Sequence, residues 1–151
     1  MVEFSAGILL YRRMPELQVF LGKMGGPFWA RKDAAAWSIP KGLYVDEEPL
    51  AAARREFAEE IGAPAPDAAY RPLGEFRLPS GKRLTVFAGE GDAAFVQSNT
   101  FEIEWPPRSG RLQQFPEIET ARWFGLAEAR AKLVKGQLPA LAALERLVEQ
   151  D

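Results

Sequence analysis

The chain has 151 residues, 47% apolar and 26% charged, and its nineteen basic and twenty-one acidic side chains give a formal net charge of −2. This length and balance predict one compact domain over 1–151 and exclude a disordered chain; they offer no broad electrostatic pull toward a polynucleotide or an anionic membrane, which disfavours a polynucleotide partner without excluding it. The chain contains no Cys and no His, which removes disulfides, thiolate or imidazole catalysis, and Cys- or His-ligated zinc and iron–sulfur centres.

Acid–base work at neutral pH then falls to Glu, Asp, Lys, Tyr or metal-bound water, and oxygen-only ligation points to Mg²⁺, Mn²⁺ or Ca²⁺. No run of about 18 apolar residues occurs, and Met1-Val2-Glu3-Phe4-Ser5 lacks the basic start of a signal peptide. The expectation is a cytoplasmic protein with a small-molecule partner and no membrane contact. Monomer and homodimer are both open.

Ala6-Gly7-Ile8-Leu9-Leu10-Tyr11, within 2–12, predicts a buried strand, and Leu17–Lys23 predicts its hairpin partner across Met14-Pro15-Glu16. Gly25-Gly26-Pro27 breaks the pattern. The loop that follows carries Phe28, Trp29, Arg31 and Lys32, which could cover a base and phosphates, or whose aromatics could tuck into the core. After a short strand at Ala36–Ile39, Pro40-Lys41-Gly42 leads through Leu43–Asp46 into a helix with Pro49 in its first turn and Gly62 at its end. Leu50, Ala53, Phe57 and Ile61 form the inward stripe of that helix.

Beyond an extended Ala63–Asp67, the runs Tyr70–Leu78 and Lys82–Ala88 flank Pro79-Ser80-Gly81, which has hairpin-turn chemistry. Further strands are expected at Ala93–Val96, Thr100–Glu104 and Ile118–Phe124, with 105–111 a loop. Helical spacing returns over Leu126–Leu133 and Pro139–Glu149, on either side of Gly136. A β-rich body with one helix in its middle and two at its end predicts an α+β or α/β/α domain.

Glu56, Glu59 and Glu60 fall at i, i+3 and i+4 of the middle helix and so share one face. Like charges at that spacing weaken a helix unless a cation compensates them, and three carboxylates so placed can bind a hard divalent ion. A solvated acidic face is the plainer alternative for any one of them.

Gly42–Ala63 resembles the Nudix box, G-x5-E-x7-R-E-U-x-E-E-x-G-U with U bulky and apolar. Glu47 stands eight positions before Arg55, and Arg55-Glu56-Phe57-Ala58-Glu59-Glu60-Ile61-Gly62 matches throughout, with Ala63 a small version of the last apolar position. The chain departs from the pattern before Glu47, where only four residues follow Gly42 and Asp46 replaces the usual glycine. Trp37–Gly42 and Trp123-Phe124 extend the resemblance over nearly the whole chain.

The resemblance implies an α/β/α sandwich with a mixed sheet, a central box helix and C-terminal helices. It also implies Mg²⁺- or Mn²⁺-dependent hydrolysis of a nucleoside diphosphate derivative by water attack at phosphorus. Under it, Glu56, Glu59 and Glu60 are metal ligands, with the Gly42 carbonyl a further one. Glu47 and Arg55 support them as an ion pair across the loop–helix junction, or form an ordinary surface pair. Glu117 has the spacing of an additional metal-or-base glutamate, with Glu119 its rival, and Arg31, Lys41, Arg108 and Arg111 are candidate phosphate contacts.

The substrate stays open among dinucleoside polyphosphates, nucleoside triphosphates and ADP-ribose-like compounds. Pro79, sixteen residues after the box, matches a position associated with ADP-ribose cleavage. The Trp37–Gly42 run and the Glu117 spacing resemble dinucleoside polyphosphate hydrolases, although their usual tyrosine is missing. A catalytically silent nucleotide sensor and an RNA-end pyrophosphohydrolase are the rival readings; the first usually loses box glutamates that this chain keeps, and the second favours a basic surface.

Overall fold

A computed structural model of the chain describes residues 2–151. Its elements, in chain order, are strands β1 (Phe4–Arg12), β2 (Gln18–Met24), β3 (Trp37–Ser38) and β4 (Lys41–Leu43), helix α1 (Pro49–Ile61), and strands β5 (Arg71–Arg77), β6 (Arg83–Glu90), β7 (Thr100–Glu104), β8 (Leu112–Pro116) and β9 (Ile118–Gly125). Helix α2 (Leu126–Lys132), a 3₁₀ turn (Lys135–Gln137) and helix α3 (Leu138–Glu149) close the fold. Helices on both faces of a mixed sheet give the α/β/α arrangement.

The sheet is wedged open at its centre. The whole of one edge of β1 pairs in parallel with β6, from Phe4↔Arg83 to Tyr11↔Glu90, and β9 lies antiparallel along β2. β1 and β2 meet in their expected hairpin only at Tyr11↔Val19 and Arg12↔Gln18. They then diverge, and Trp37–Leu43 crosses the gap, pairing as β3 with β2 and as β4 with β1. The Ile8 amide donates to the Pro40 carbonyl at 3.2 Å inside the wedge. Gly7 permits this crossing, because a Cβ there would come within 2.7 Å of both Lys41 Cβ and the Pro40 carbonyl.

Alternation along β1 divides the core between the two faces. Ala6, Ile8 and Leu10 pack with Phe20 against Ala52, Ala53, Phe57 and Ile61 of α1. Leu9 and Tyr11 point the other way, toward Val86, Phe124, Leu133, Leu141 and Leu144. Leu50, expected in the buried stripe of α1, is only half-buried, and Ala52 takes its place. Phe57 is fully buried, so its truncation to Ala would cost about 3–5 kcal/mol and loosen the face of α1 that orients the glutamates. Pro49 starts the helix and Gly62, at φ 89°, ends it in the left-handed conformation glycine favours.

One local expectation needs correction, and two strands lie outside the sequence reading. Ala93–Val96 is not a strand, because the Val96 and Gln97 amides donate to the Ile61 carbonyl, and the Asn99 amide to that of Glu59, at the end of α1. β4 arises from its pairing with β1, and its three residues carry no strand signal of their own. β8 pairs with β7 in a separate two-stranded sheet, and its run Leu112–Pro116, exposed except for half-buried Phe115, lacks apolar alternation.

Candidate active site

Two opposed structures build the site. The β3–β4 crossing presents Lys41 and Gly42, while α1 presents Glu56, Glu59 and Glu60 on the turns facing it. A cavity of about 310 Å³ lies between them, lined by all five residues together with Ser5, Leu43, Lys82, Asn99 and Glu117. Glu117 reaches the box glutamates through backbone bonds. Its amide donates to the Asn99 carbonyl, the Asn99 amide to the Glu59 carbonyl and the Gly25 amide to the Glu117 carbonyl, each at 2.9 Å.

The carboxylates differ in their surroundings. Glu60 is the most enclosed, and burial pushes its carboxyl up to about 8 despite the charge and backbone amide of Lys41, with Glu56 and Glu117 raising it further. The Lys41 amide donates to Glu60 Oε1 at 3.2 Å. The Glu56 side chain is 12% exposed and is also raised by burial, partly offset by its 2.8 Å contact with Arg55. Glu59 is 40% exposed and faces Arg55 at 3.4 Å.

Arg55 ties this face to the preceding loop. Its Nη2 and Nε donate to the two carboxylate oxygens of Glu47 at 2.7 and 3.2 Å, while Nη1 donates to Glu56. The fork fits a guanidinium and not an ammonium. These bonds hold the Glu47 carboxyl below its usual range. In the shortened loop Asp46 adopts φ 57°. Asp tolerates this left-handed region better than most side chains, and glycine, the usual residue at this place in the motif, adopts it freely.

Among the described residues, no three carboxylates close into a finished cation cage; Glu56 and Glu59 share Arg55 instead. The donor set nevertheless fits a hard divalent ion. Every acidic donor is an oxygen, two of the three box carboxyls are desolvated, and Gly42 leaves room that a Cβ would deny, since one built there overlaps the Glu56 carboxylate.

The basic candidates separate. Lys41 lines the cavity, whereas Arg31 sits on the exposed 25–33 loop, and Arg108 and Arg111 lie at the exposed turn between β7 and β8; none of the three lines it. Phe28 is exposed and meets Trp105 edge-on at 5.2 Å, while Trp29 is half-buried against the core. Ser5, Lys82 and Asn99 are lining residues without a local signal. The parallel β1–β6 pairing, which no local pattern announces, brings Lys82 to the start of β1, where it lines the cavity with Ser5 and lies 3.7 Å from Glu3.

Comparison with known proteins gives this geometry a context. A family model described as NUDIX domain matches residues 2–144. The fold is similar to that of a C. elegans Ap4A hydrolase binary complex, at 16% identity and TM-score 0.67, covering 99% of this chain and 100% of that one. It is also similar to the NUDIX domain of Shewanella oneidensis NrtR complexed with ADP ribose, at 16% identity and TM-score 0.69, with coverages of 98% and 89%. A third similar structure is the C-terminal domain of mouse MUTYH in complex with human PCNA, at 18% identity and TM-score 0.62, with coverages of 99% and 91%. No curated protein matches the chain.

Proposed function

Because the chain belongs to the NUDIX domain family, we propose that it is a Mg²⁺- or Mn²⁺-dependent pyrophosphohydrolase acting on a nucleoside diphosphate derivative. The observation that carries this reading is the convergence of Glu56, Glu59, Glu60 and the distant Glu117 on one cavity with Lys41 and Lys82. Ap4A and ADP ribose, named for two proteins of similar fold, are both nucleotides with internal phosphoanhydride linkages, and they support the substrate class.

Glu56, Glu59 and Glu60, with Gly42, would hold the metal. When bound, a divalent cation offsets the negative charge of phosphate oxygens and so lowers the barrier to attack by water. Lys41 and Lys82 would draw the phosphates toward the carboxylates. Glu117, anchored on both sides of its peptide, would accept the proton of the attacking water. Glu47 orients Arg55, and Arg55 in turn fixes Glu56.

Purified protein would be incubated with dinucleoside polyphosphates, nucleoside triphosphates and ADP-ribose-like compounds, with Mg²⁺ or Mn²⁺, in ¹⁸O-labelled water. Metal-dependent products carrying the label on phosphorus are expected. Absence of product with every compound, or equal turnover by Glu60→Gln, would sink the hydrolase reading.

A further inference from the structure

Four of the eight large apolar side chains exposed among the described residues gather at one place: Val2, Phe4, Leu43 and Val45. With Glu3, Tyr44 and Asp46 they line a cavity of about 560 Å³. Single exposed apolar residues are ordinary, whereas a cluster of them around a hollow marks a binding surface.

This hollow is continuous with the carboxylate cavity. Leu43 lines both, and both follow the β1–β4 pair, whose register runs Gly7↔Lys41, Ala6↔Gly42 and Ser5↔Leu43. The Tyr44 amide extends that pair by one rung, donating to the Phe4 carbonyl at 3.0 Å. Ser5, Lys41 and Gly42 line the carboxylate cavity, while Val2–Phe4 and Tyr44–Asp46 line the apolar one. At strand rise Val45 lies about 10 Å along the chain from Gly42, so a group attached to a diphosphate held at the glutamates reaches the apolar walls.

Charge sets what can enter. The charged residues lining the hollow are Glu3 and Asp46, and no Lys or Arg lines it among the described residues. Glu3 lies 3.7 Å from Lys82, which lines the carboxylate cavity, so the basic lining ends where this acidic pair begins. Further phosphates are repelled beyond that border. The aliphatic and phenyl walls reward burial of apolar surface but offer few hydrogen bonds, so a polyhydroxylated sugar would lose hydration there without replacement.

We propose that the hollow receives the group joined to the far phosphate of the substrate, and that this group is apolar and uncharged. The substrate class then narrows to a nucleoside diphosphate esterified to an apolar alcohol. The position of the diphosphate rests on the pyrophosphohydrolase reading, but the assignment is tested by binding alone.

Calorimetry in Mg²⁺ would compare α,β-methylene ADP with its octyl ester and its ribose ester on the terminal phosphate, the methylene bridge blocking hydrolysis. The octyl compound should bind roughly tenfold tighter than α,β-methylene ADP, since a fully buried methylene is worth about fourfold in affinity. The ribose compound should bind no tighter. Val2→Asn combined with Val45→Asn should erase the octyl gain and leave the Kd of α,β-methylene ADP unchanged. Both side chains are exposed, so the double variant keeps the fold, which circular dichroism would check.

No octyl gain, a gain that survives the double variant, or tighter binding of the ribose compound would overturn the assignment. A dimer in sedimentation analysis that the double variant dissociates would also overturn it and give the hollow to a second copy of the chain. Cleavage of hydrolysable nucleotides without an octyl gain would overturn it while leaving hydrolysis standing. An octyl gain that depends on the hollow, in a protein that cleaves nothing, would support the assignment and remove the hydrolase reading.

Discussion

The carboxylate cavity and a neighbouring lysine-rich cavity of about 640 Å³, lined by Trp29, Leu78, Pro79, Val134 and Lys135, share Lys41 and Lys82 yet are built in opposite ways. Three of the four glutamates of the first come from five consecutive residues of one helix, so a short segment carries most of its chemistry. The second is assembled from the 24–41 segment, the β5–β6 turn and the 134–137 turn, which meet only in the folded chain. A charge cluster written on one helix can be read as a motif, whereas a shaped space depends on long-range packing. The division also separates tasks, with the acidic side suited to a cation and the basic side to an anion.

The largest break in this contrast should come from Glu60→Gln. The substitution keeps an acceptor for the Lys41 amide but removes an anionic donor from the acidic side. Metal-dependent turnover should fall on the order of a thousandfold, about 4 kcal/mol in barrier height, with ADP affinity in the metal-free protein nearly unchanged. Steady-state kinetics beside calorimetry would check both halves, and parallel losses in the two would mean that the cavities do not work separately.

Glu60 also sets a pH dependence. Its carboxyl is raised from 4.5 to about 8 in the fold, chiefly by burial. The folded chain therefore holds more protons than the unfolded chain across that window. Stability from this group is fully present below about pH 4.5 and is lost as pH rises through about 8. Glu56, raised in the same direction, adds to the slope.

In chelator, the thermal midpoint should fall across that window. The total loss is on the order of a few kcal/mol, because each tenfold difference in proton affinity between the folded and unfolded chains is worth ~1.4 kcal/mol. Glu60→Gln should flatten most of the decline. An equally steep decline in the variant would assign the effect elsewhere.

Arg55 offers a finer division within the acidic side. Its fork joins Glu47 to Glu56, so Arg55→Met frees both, whereas Glu47→Gln leaves the Arg55–Glu56 contact in place. Mg²⁺ affinity, read by calorimetry, should drop about 10–100-fold for the first and less for the second. Equal losses would mean that Glu47 acts on the site other than through Arg55.

The acidic side is legible in the sequence because the box sits within one loop and one helix. Helical period, Pro49 and Gly62 locate α1, and the same period puts its glutamates on one face. The splay of β1 from β2 is not legible, since it follows from the parallel β1–β6 pairing and from the passage over Gly7. Lys82 stays hidden for the same reason, and Asn99 because backbone bonds to Glu59 and Glu117 bring it to the site. Arg31, Arg108 and Arg111 are candidates by charge and loop position, but charge does not say which way a loop faces. Ala93–Val96 reads as strand because its apolar residues suggest one; α1's last carbonyls claim the amides at its end.

The smallest expected effect tests the loop that departs from the motif. Asp46 holds φ 57°, a conformation that costs most residues about 1–2 kcal/mol and glycine almost nothing. Asp46→Gly should therefore keep the loop and change stability by less than about 1 kcal/mol, the relief of backbone strain being offset by the greater freedom of glycine in the unfolded chain. Asp46→Val should cost about 1–2 kcal/mol, because a β-branched side chain is poorly tolerated at that φ. Denaturant unfolding would measure both. If the valine variant also weakens Mg²⁺ binding while the glycine variant does not, the backbone at Asp46 positions Glu47, and hence Arg55, for the acidic cavity; loss in both variants would instead give that role to the Asp46 side chain.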